Sequence, residues 1–245
     1  MSNQMLRETG SGSSAKRVVT IVIVILVVLG FGYFLLKISP QEEQATSGGY
    51  NALLDTSASK PITTPPAFDP STDHYQGNPT AKNVFIEYGD LECPACAAYS
   101  PILNQVATSF PDTVFVFRYF PLVQIHPNSV EAALAAEAAN AQGKFWQMHD
   151  ILFQNQSDWE SLSDPIDTFA QYAQSVGVAN ITQFKSDITS HKYLSTIETD
   201  NDEAIGLNLQ GTPSFFFNGH PLQTGSDLKG LLQEAQPYLN KWRPL

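Results

Sequence analysis

The chain has 245 residues, 42% of them hydrophobic, with a formal charge of −11 and a pI near 4.7. That is enough apolar material for one sizeable core, so one folded domain is expected. The acidity excludes binding to nucleic-acid phosphates or anionic lipid headgroups by charge, and no nucleic acid is expected as a partner.

Residues 1–17 are polar, rich in Gly and Ser and closed by Lys16 and Arg17; they read as a cytoplasmic tail. An uncharged apolar run of 19 residues follows, from Val18 to Leu36. As a helix it would span roughly 28 Å, against a hydrocarbon core of about 30 Å. The expectation is a transmembrane anchor over 18–38. A cleavable signal peptide has a shorter apolar region ending in an A-x-A-like site. Here Lys37 and I-S-P-Q-E-E-Q follow instead, with cleavage near Ala45 as the alternative. Arg7, Lys16 and Arg17 precede the span and Glu42 and Glu43 follow it, so the positive-inside rule places the bulk of the chain outside the cytoplasm. Residues 39–70 shift to Gly, Ser, Thr and Pro, including T-T-P-P, and read as a flexible tether.

The folded domain is expected over 71–245. Val84 to Tyr88 reads as a buried strand, and Asp90 to Glu92 as the loop into a helix that Pro101 would kink. The run V-F-V-F-R-Y-F at 114–120 is a second strand. Leu134, Ala138, Ala141, Phe145, Met148 and Leu152 recur at helical steps, with an interruption possible at Gly143. Asp164 followed by Pro165 signals a helix start and Gly177 its stop; Asn180 caps the next helix, and another covers 194–207. S-F-F-F-N-G-H-P-L-Q returns to strand, with Asn218 and Gly219 as the turn of a hairpin. Ser226 opens a last helix with Leu228, Leu231, Leu232, Ala235 and Leu239 apolar.

Both cysteines of the chain lie in the stretch E-Y-G-D-L-E-C-P-A-C at 87–96. Cys93 falls where a helix presents unpaired N–H groups and the positive end of its dipole, which favours a thiolate. Pro94 is suited to the first helical position. Cys93 is therefore expected as the exposed nucleophile and Cys96, a turn on and facing inward, as the resolving thiol. Half a zinc site is one alternative, but no second cysteine pair exists to complete it. A structural staple is the other, yet closing so small a loop removes only about 2 kcal/mol of unfolded-state entropy.

The order strand, C-x-x-C helix, strand, helical block, strand, hairpin, helix resembles the thioredoxin fold with a helical insertion at about 128–207, as in DsbA-like thiol:disulfide oxidoreductases. Four segments carry the match: F-I-E-Y-G-D-L-E-C-P-A-C, H-P-N-S-V-E-A-A-L-A-A-E-A-A at 126–139, Q-G-K-F-W-Q-M-H-D-I-L-F at 142–153 and G-T-P-S-F-F-F-N-G at 211–219. The resemblance implies an α/β fold, Cys93 as the attacking thiol and Cys96 as its partner. It implies no cofactor beyond the redox-active Cys93–Cys96 disulfide, and no metal. Glu87 matches the acidic strand residue beneath the disulfide that moves protons; a buried carboxyl there would titrate near neutral pH. Thr212 and Pro213 match the loop facing the cysteines, whose proline is cis and whose preceding residue pairs with the substrate backbone. Pro94 and Ala95 complete the substrate-binding edge, and Ala95 departs from the Pro-His pair of the most oxidising members, supplying no imidazole.

The implied partners are exported proteins bearing thiols or disulfides and a membrane redox protein that resets the cysteines. A reductase or isomerase runs the same chemistry in another direction. Two readings of other classes stand beside it: a tethered holdase for unfolded peptide, and a copper chaperone. Of the histidines, His126 and His149 are expected to cap or pack near the groove, and His74, His191 and His220 to lie at the surface. Phe145 and Trp146 are expected in the core.

Overall fold

Asn83–Gly89 is buried at every position from Phe85 onward, which suits only a strand with neighbours on both sides and layers on both faces. In the computed structural model, which describes residues 60–109 and 112–223 together with 230 and 233, this strand is the centre of a five-stranded sheet. The strands are β1 (His74–Gln76), β2 (Asn83–Gly89), β3 (Thr113–Tyr119), β4 (Ser214–Phe217) and β5 (His220–Leu222), in the spatial order β1-β3-β2-β4-β5. β2 and β3 are parallel, Glu87 opposite Phe117, so a crossover must join them. The crossover is α1 (Pro94–Ser109), which continues through Pro101. β4 pairs antiparallel with β2, Glu87 opposite Phe215, and turns into β5 through Asn218 and Gly219. Those two residues have φ of 49° and 78°, the pair of left-handed conformations that a type I′ hairpin turn demands.

The period of two sorts the sheet into two faces. Phe85, Phe115, Phe215 and Phe217 pack with Leu103 of α1. Ile86, Tyr88, Val116 and Phe216 pack on the other face around Ala204. Ala204 lies in α6 (Leu194–Gly206), the last of five inserted helices, after α2 (Ser129–Asn140), α3 (Phe145–Gln154), α4 (Ile166–Ser175) and α5 (Ile181–Thr189).

The apolar face read across 134–152 is interrupted at Gly143, the position the sequence marked, and belongs to two helices, α2 and α3. Gly143, at φ 71°, reverses the chain and lets the Lys144 N–H reach the Ala139 carbonyl at 2.9 Å, a left-handed helix stop. The same closure follows Gly177, and His191 and Asn208 perform it without being glycine, at φ 52° and 58°. At α4 the expected cap shifts by one position: Pro165 is the boundary residue, and Asp164 accepts the Ile166 N–H at 3.0 Å. Asn180 caps α5 as expected, accepting the Gln183 N–H at 2.9 Å.

Three further placements differ from expectation. His74 is not a surface residue: β1 lays it against α2 and α3, where its ring stacks on Phe145 at 3.6 Å and Nε2 meets Glu137 at 2.5 Å. Trp146 is half-buried rather than core, its indole N–H donating to the Tyr75 carbonyl at 2.9 Å. Within the stretch read as tether, residues 60–70 lie on the domain: the Ile62 N–H donates to the Gly206 carbonyl at 2.7 Å, and Arg118 donates to the Ala67 carbonyl at 2.6 Å. Arg118 also grips Asp73 through two bonds, Glu203 at 2.6 Å and the Tyr88 hydroxyl at 3.1 Å. The expected anchor over 18–38 lies outside the described residues; among those described, no helix is long and apolar enough to cross a membrane. The expected last helix also lies outside them, except for Gly230 and Gln233, which are helical.

Candidate active site

The loop from β2 into α1 is held by its own acidic residues. Asp90 accepts the Glu92 N–H at 2.8 Å through one oxygen; the other takes the Leu122 N–H at 2.8 Å and stands 2.7 Å from His126 Nδ1. The Asp90 carbonyl accepts the Cys93 N–H at 3.0 Å. Glu92 accepts the Asn128 N–H at 2.6 Å, and the Asn128 side-chain amide donates to the carbonyls of Trp159, Glu160 and Leu162. Read as sequence, Asp90 and Glu92 are ordinary polar loop residues; here both are buried and tie the redox loop to the segment after β3.

Cys93 is the residue before α1, so the helix's unpaired N–H groups of Ala95 and Cys96 are aimed at its sulfur. Both cysteines are free thiols in this structure. Cys93 is not the exposed nucleophile expected: 6% of its surface is open, while Cys96 has none. Its cover is the loop before β4, where the Thr212 carbonyl lies 3.5 Å from Sγ, the Thr212–Pro213 bond is cis and Pro213 is buried. Pro94 and Ala95 remain exposed beside the sulfur. The sequence-derived site residues Cys93, Cys96, Pro94, Ala95, Thr212 and Pro213 are thus brought to one place.

The two sulfurs have opposite acidities. A hydrogen bond from the Cys96 thiol, the Thr212 side chain and the N–H groups of Cys96 and Ala95 outweigh burial and pull Cys93 down to about 5. The Thr212 hydroxyl, buried and without another partner in the dithiol, is placed to serve the anion. Burial pushes Cys96 well above the ordinary thiol range, reinforced by its donation to Cys93 and by the charge on Glu87. Cys93 is therefore a thiolate at neutral pH and Cys96 a thiol.

Glu87 sits on β2, 1% exposed, with one carboxyl oxygen lacking a partner. Burial, then the Cys93 charge, raises it to about 8, so it holds its proton through neutral pH. Gly89, two residues on and on the same face, leaves the room: a Cβ there would stand 2.5 Å from the Phe117 ring and 3.2 Å from the Glu87 carboxyl. Burial likewise raises Glu92, to about 7, against the Asn128 N–H that lowers it. His126 is half-buried, and the Asp90 bond holds its imidazolium against burial, pushing its pKa up. His149 packs among Phe117, Trp146 and Phe153, as expected of a core histidine, and burial pushes it down.

A C-x-x-C dithiol at a helix N-terminus, opposed by a cis-proline loop on a five-stranded sheet with a helical insertion, is a thioredoxin fold of DsbA-like architecture. The family described as Thioredoxin matches residues 69–234, and the chain belongs to it. Oxidised BdbD from Bacillus subtilis is similar in fold, with a TM-score of 0.64 at 23% identity, covering 73% of this chain and 97% of that one. DsbA2 from Pseudomonas aeruginosa is similar at 25% identity, covering 71% of this chain and 94% of that one, with a TM-score of 0.53. Among curated relatives, Na(+)/H(+) antiporter NhaA 1 from Mycobacterium sp. (strain KMS) is 42% identical over 154 residues, 62% of this chain and 24% of the antiporter. The chain thus spans about a quarter of the length of that relative.

Proposed function

We propose that the chain is a membrane-anchored, extracytoplasmic thiol:disulfide oxidoreductase that introduces disulfides into exported proteins and is reset by a membrane redox partner. The observation that carries this reading is the meeting of the C-x-x-C at the start of α1 with the cis Thr212–Pro213 loop, the Thr212 carbonyl 3.5 Å from Cys93 Sγ, a setting that makes Cys93 the acidic sulfur and pushes Cys96 the other way. In the oxidised enzyme a substrate thiolate attacks Cys93 Sγ. The S–S bond breaks, Cys96 leaves as a thiolate, and its high proton affinity draws a proton, for which the nearby Glu87 carboxyl is the source. A second substrate thiolate then attacks the substrate sulfur of the mixed disulfide and expels Cys93. A leaving thiol of low pKa departs fastest, which is why the sulfur bonded to substrate should be the acidic one. Two electrons pass from substrate to enzyme, and the substrate gains its disulfide. The exposed Pro94-Ala95 edge and the Thr212–Pro213 loop frame the place where a peptide would lie.

The test is oxidative folding of a reduced, unfolded substrate by the full-length chain, with Cys93→Ser as the inactive control. Equilibration with glutathione sets the direction: a potential near −120 mV marks an oxidant, and one near −270 mV would make the protein a reductant. Labelling of Cys93 on intact cells by a membrane-impermeant alkylating agent, after reduction of the bridge by a membrane-impermeant phosphine, checks the location, and protection under those conditions would place the domain inside.

A further inference from the structure

The dipeptide between the cysteines carries no cation, and the loop before them is acidic, E-Y-G-D-L-E. An anion on Cys93 in that setting calls for a positive group from elsewhere in the fold. His126, thirty residues along in the segment after β3, is brought to the loop through Asp90, whose carboxylate holds its Nδ1 at 2.7 Å and whose carbonyl holds the Cys93 N–H at 3.0 Å. Asp90 is fixed in turn by the N–H groups of Glu92 and Leu122, so the ring's place relative to the sulfur is set by backbone. We propose that His126, oriented by Asp90, is the cationic counterpart of the Cys93 thiolate, a positioning residue that supplies from outside the C-x-x-C motif the charge that Ala95 lacks.

The groups acting on the ring are Asp90 by hydrogen bond and charge, Cys93 and Glu92 by charge, and all of them favour the imidazolium. Glu131 of α2 adds negative charge at Glu92. The ring therefore offsets two anions at once, Asp90 and Cys93. Removing it withdraws a cation and leaves the Asp90 carboxylate uncompensated beside the sulfur. By linkage, whatever the imidazolium does for the thiolate, the thiolate does for the imidazolium. When the Cys93–Cys96 bridge forms, the thiolate charge disappears and His126 must hold its proton less tightly, whereas a ring that merely staples two loops would titrate alike in both redox states.

This rests on Cys93 being the exchanging sulfur, and two measurements on the full-length chain test it. In the first, the His126 ring protons are followed by NMR across pH in the dithiol and disulfide forms; the midpoint is expected to be lower in the disulfide. In the second, thiolate absorbance at 240 nm reports Cys93 in wild type and in His126→Gln; the midpoint is expected to rise in the variant by about one unit, tenfold in the ionisation constant. Equal His126 midpoints in the two redox states, or an unmoved Cys93 midpoint in folded His126→Gln, would overturn the proposal. If that variant does not fold, the wild-type NMR comparison decides alone. A wild-type Cys93 that titrates as an ordinary thiol near 8.5 would instead overturn the exchange reading beneath it.

Discussion

The depressed acidity of Cys93 fixes how the reduction potential of the dithiol must respond to pH. Its thiol falls from 9.0 to about 5, and the sulfur is almost wholly buried, so solvent screening discounts this little. A depressed pKa stabilises the state that carries the anion; the effect is complete above the ordinary pKa and is lost as pH falls through about 5. At pH 7 the reduced form gains about 2.7 kcal/mol over a dithiol of ordinary acidity, from two units at about 1.36 kcal/mol each. For a two-electron couple that is about 60 mV in the oxidising direction.

The slope is more diagnostic than the offset. Above about 5, reduction adds one proton for two electrons, because Cys93 stays ionised while Cys96 does not. The potential should then fall by about 30 mV per pH unit, and below the break, where both sulfurs take protons, by about 60 mV per unit. Between pH 4 and 6 the Glu87 carboxyl, at about 8, stays protonated and does not blur the break. The assay is equilibration of the full-length chain with glutathione at half-unit steps, with both redox forms trapped by acid. A uniform slope of about 60 mV per unit from pH 4 to 6 would mean Cys93 is an ordinary thiol, and the account of its helix and its donors would fail.

Two further outcomes follow from buried charge. Glu87→Gln should slow exchange near neutral pH, and an unchanged rate retires the carboxyl as proton source. The same variant should be more stable than wild type at pH 7 by up to about 3 kcal/mol and equal to it at pH 4, because a raised carboxyl costs stability as pH climbs from its unfolded value toward about 8. Denaturant midpoints at the two pH values check this. Arg118→Met should cost about 3 to 5 kcal/mol in the same assay, since it strands Asp73 and Glu203 against β3, while exchange per folded molecule is kept.

The dithiol and its fold were legible because their signals are local. An apolar run feeding a C-x-x-C fixes strand, loop and helix start within fourteen residues, and Asn218-Gly219 fixes the hairpin by turn chemistry alone. What escaped notice depends on contacts between distant segments. β1 has three residues, too few to show alternation, and His74 becomes internal only because that strand pairs with β3 over α2 and α3. His191 and Asn208 stop helices in conformations that composition assigns to glycine. Asp90 and Glu92 read as ordinary loop residues, and His126 as a capping or packing residue with no partner to name, because their partners lie more than thirty positions away.

Those same residues resolve a contradiction the sequence poses. Three carboxyls within six residues of a nucleophilic cysteine should oppose its ionisation, since like charges in a low-dielectric site repel. The fold answers each one separately. Glu87 is buried without a counter-charge and keeps its proton to about 8. Glu92 is raised to about 7 by burial, so it is half neutral where the enzyme would work. Asp90 alone is given three donors, one of them the imidazole of His126. Full negative charge beside Cys93 is thereby confined to the Asp90 carboxylate, which is held against the same His126 ring that faces the thiolate. An acidic approach to the cysteine is compatible with an acidic thiol only because the hydrogen-bond donors set against burial at each carboxyl, rather than residue type, decide which of them carries charge.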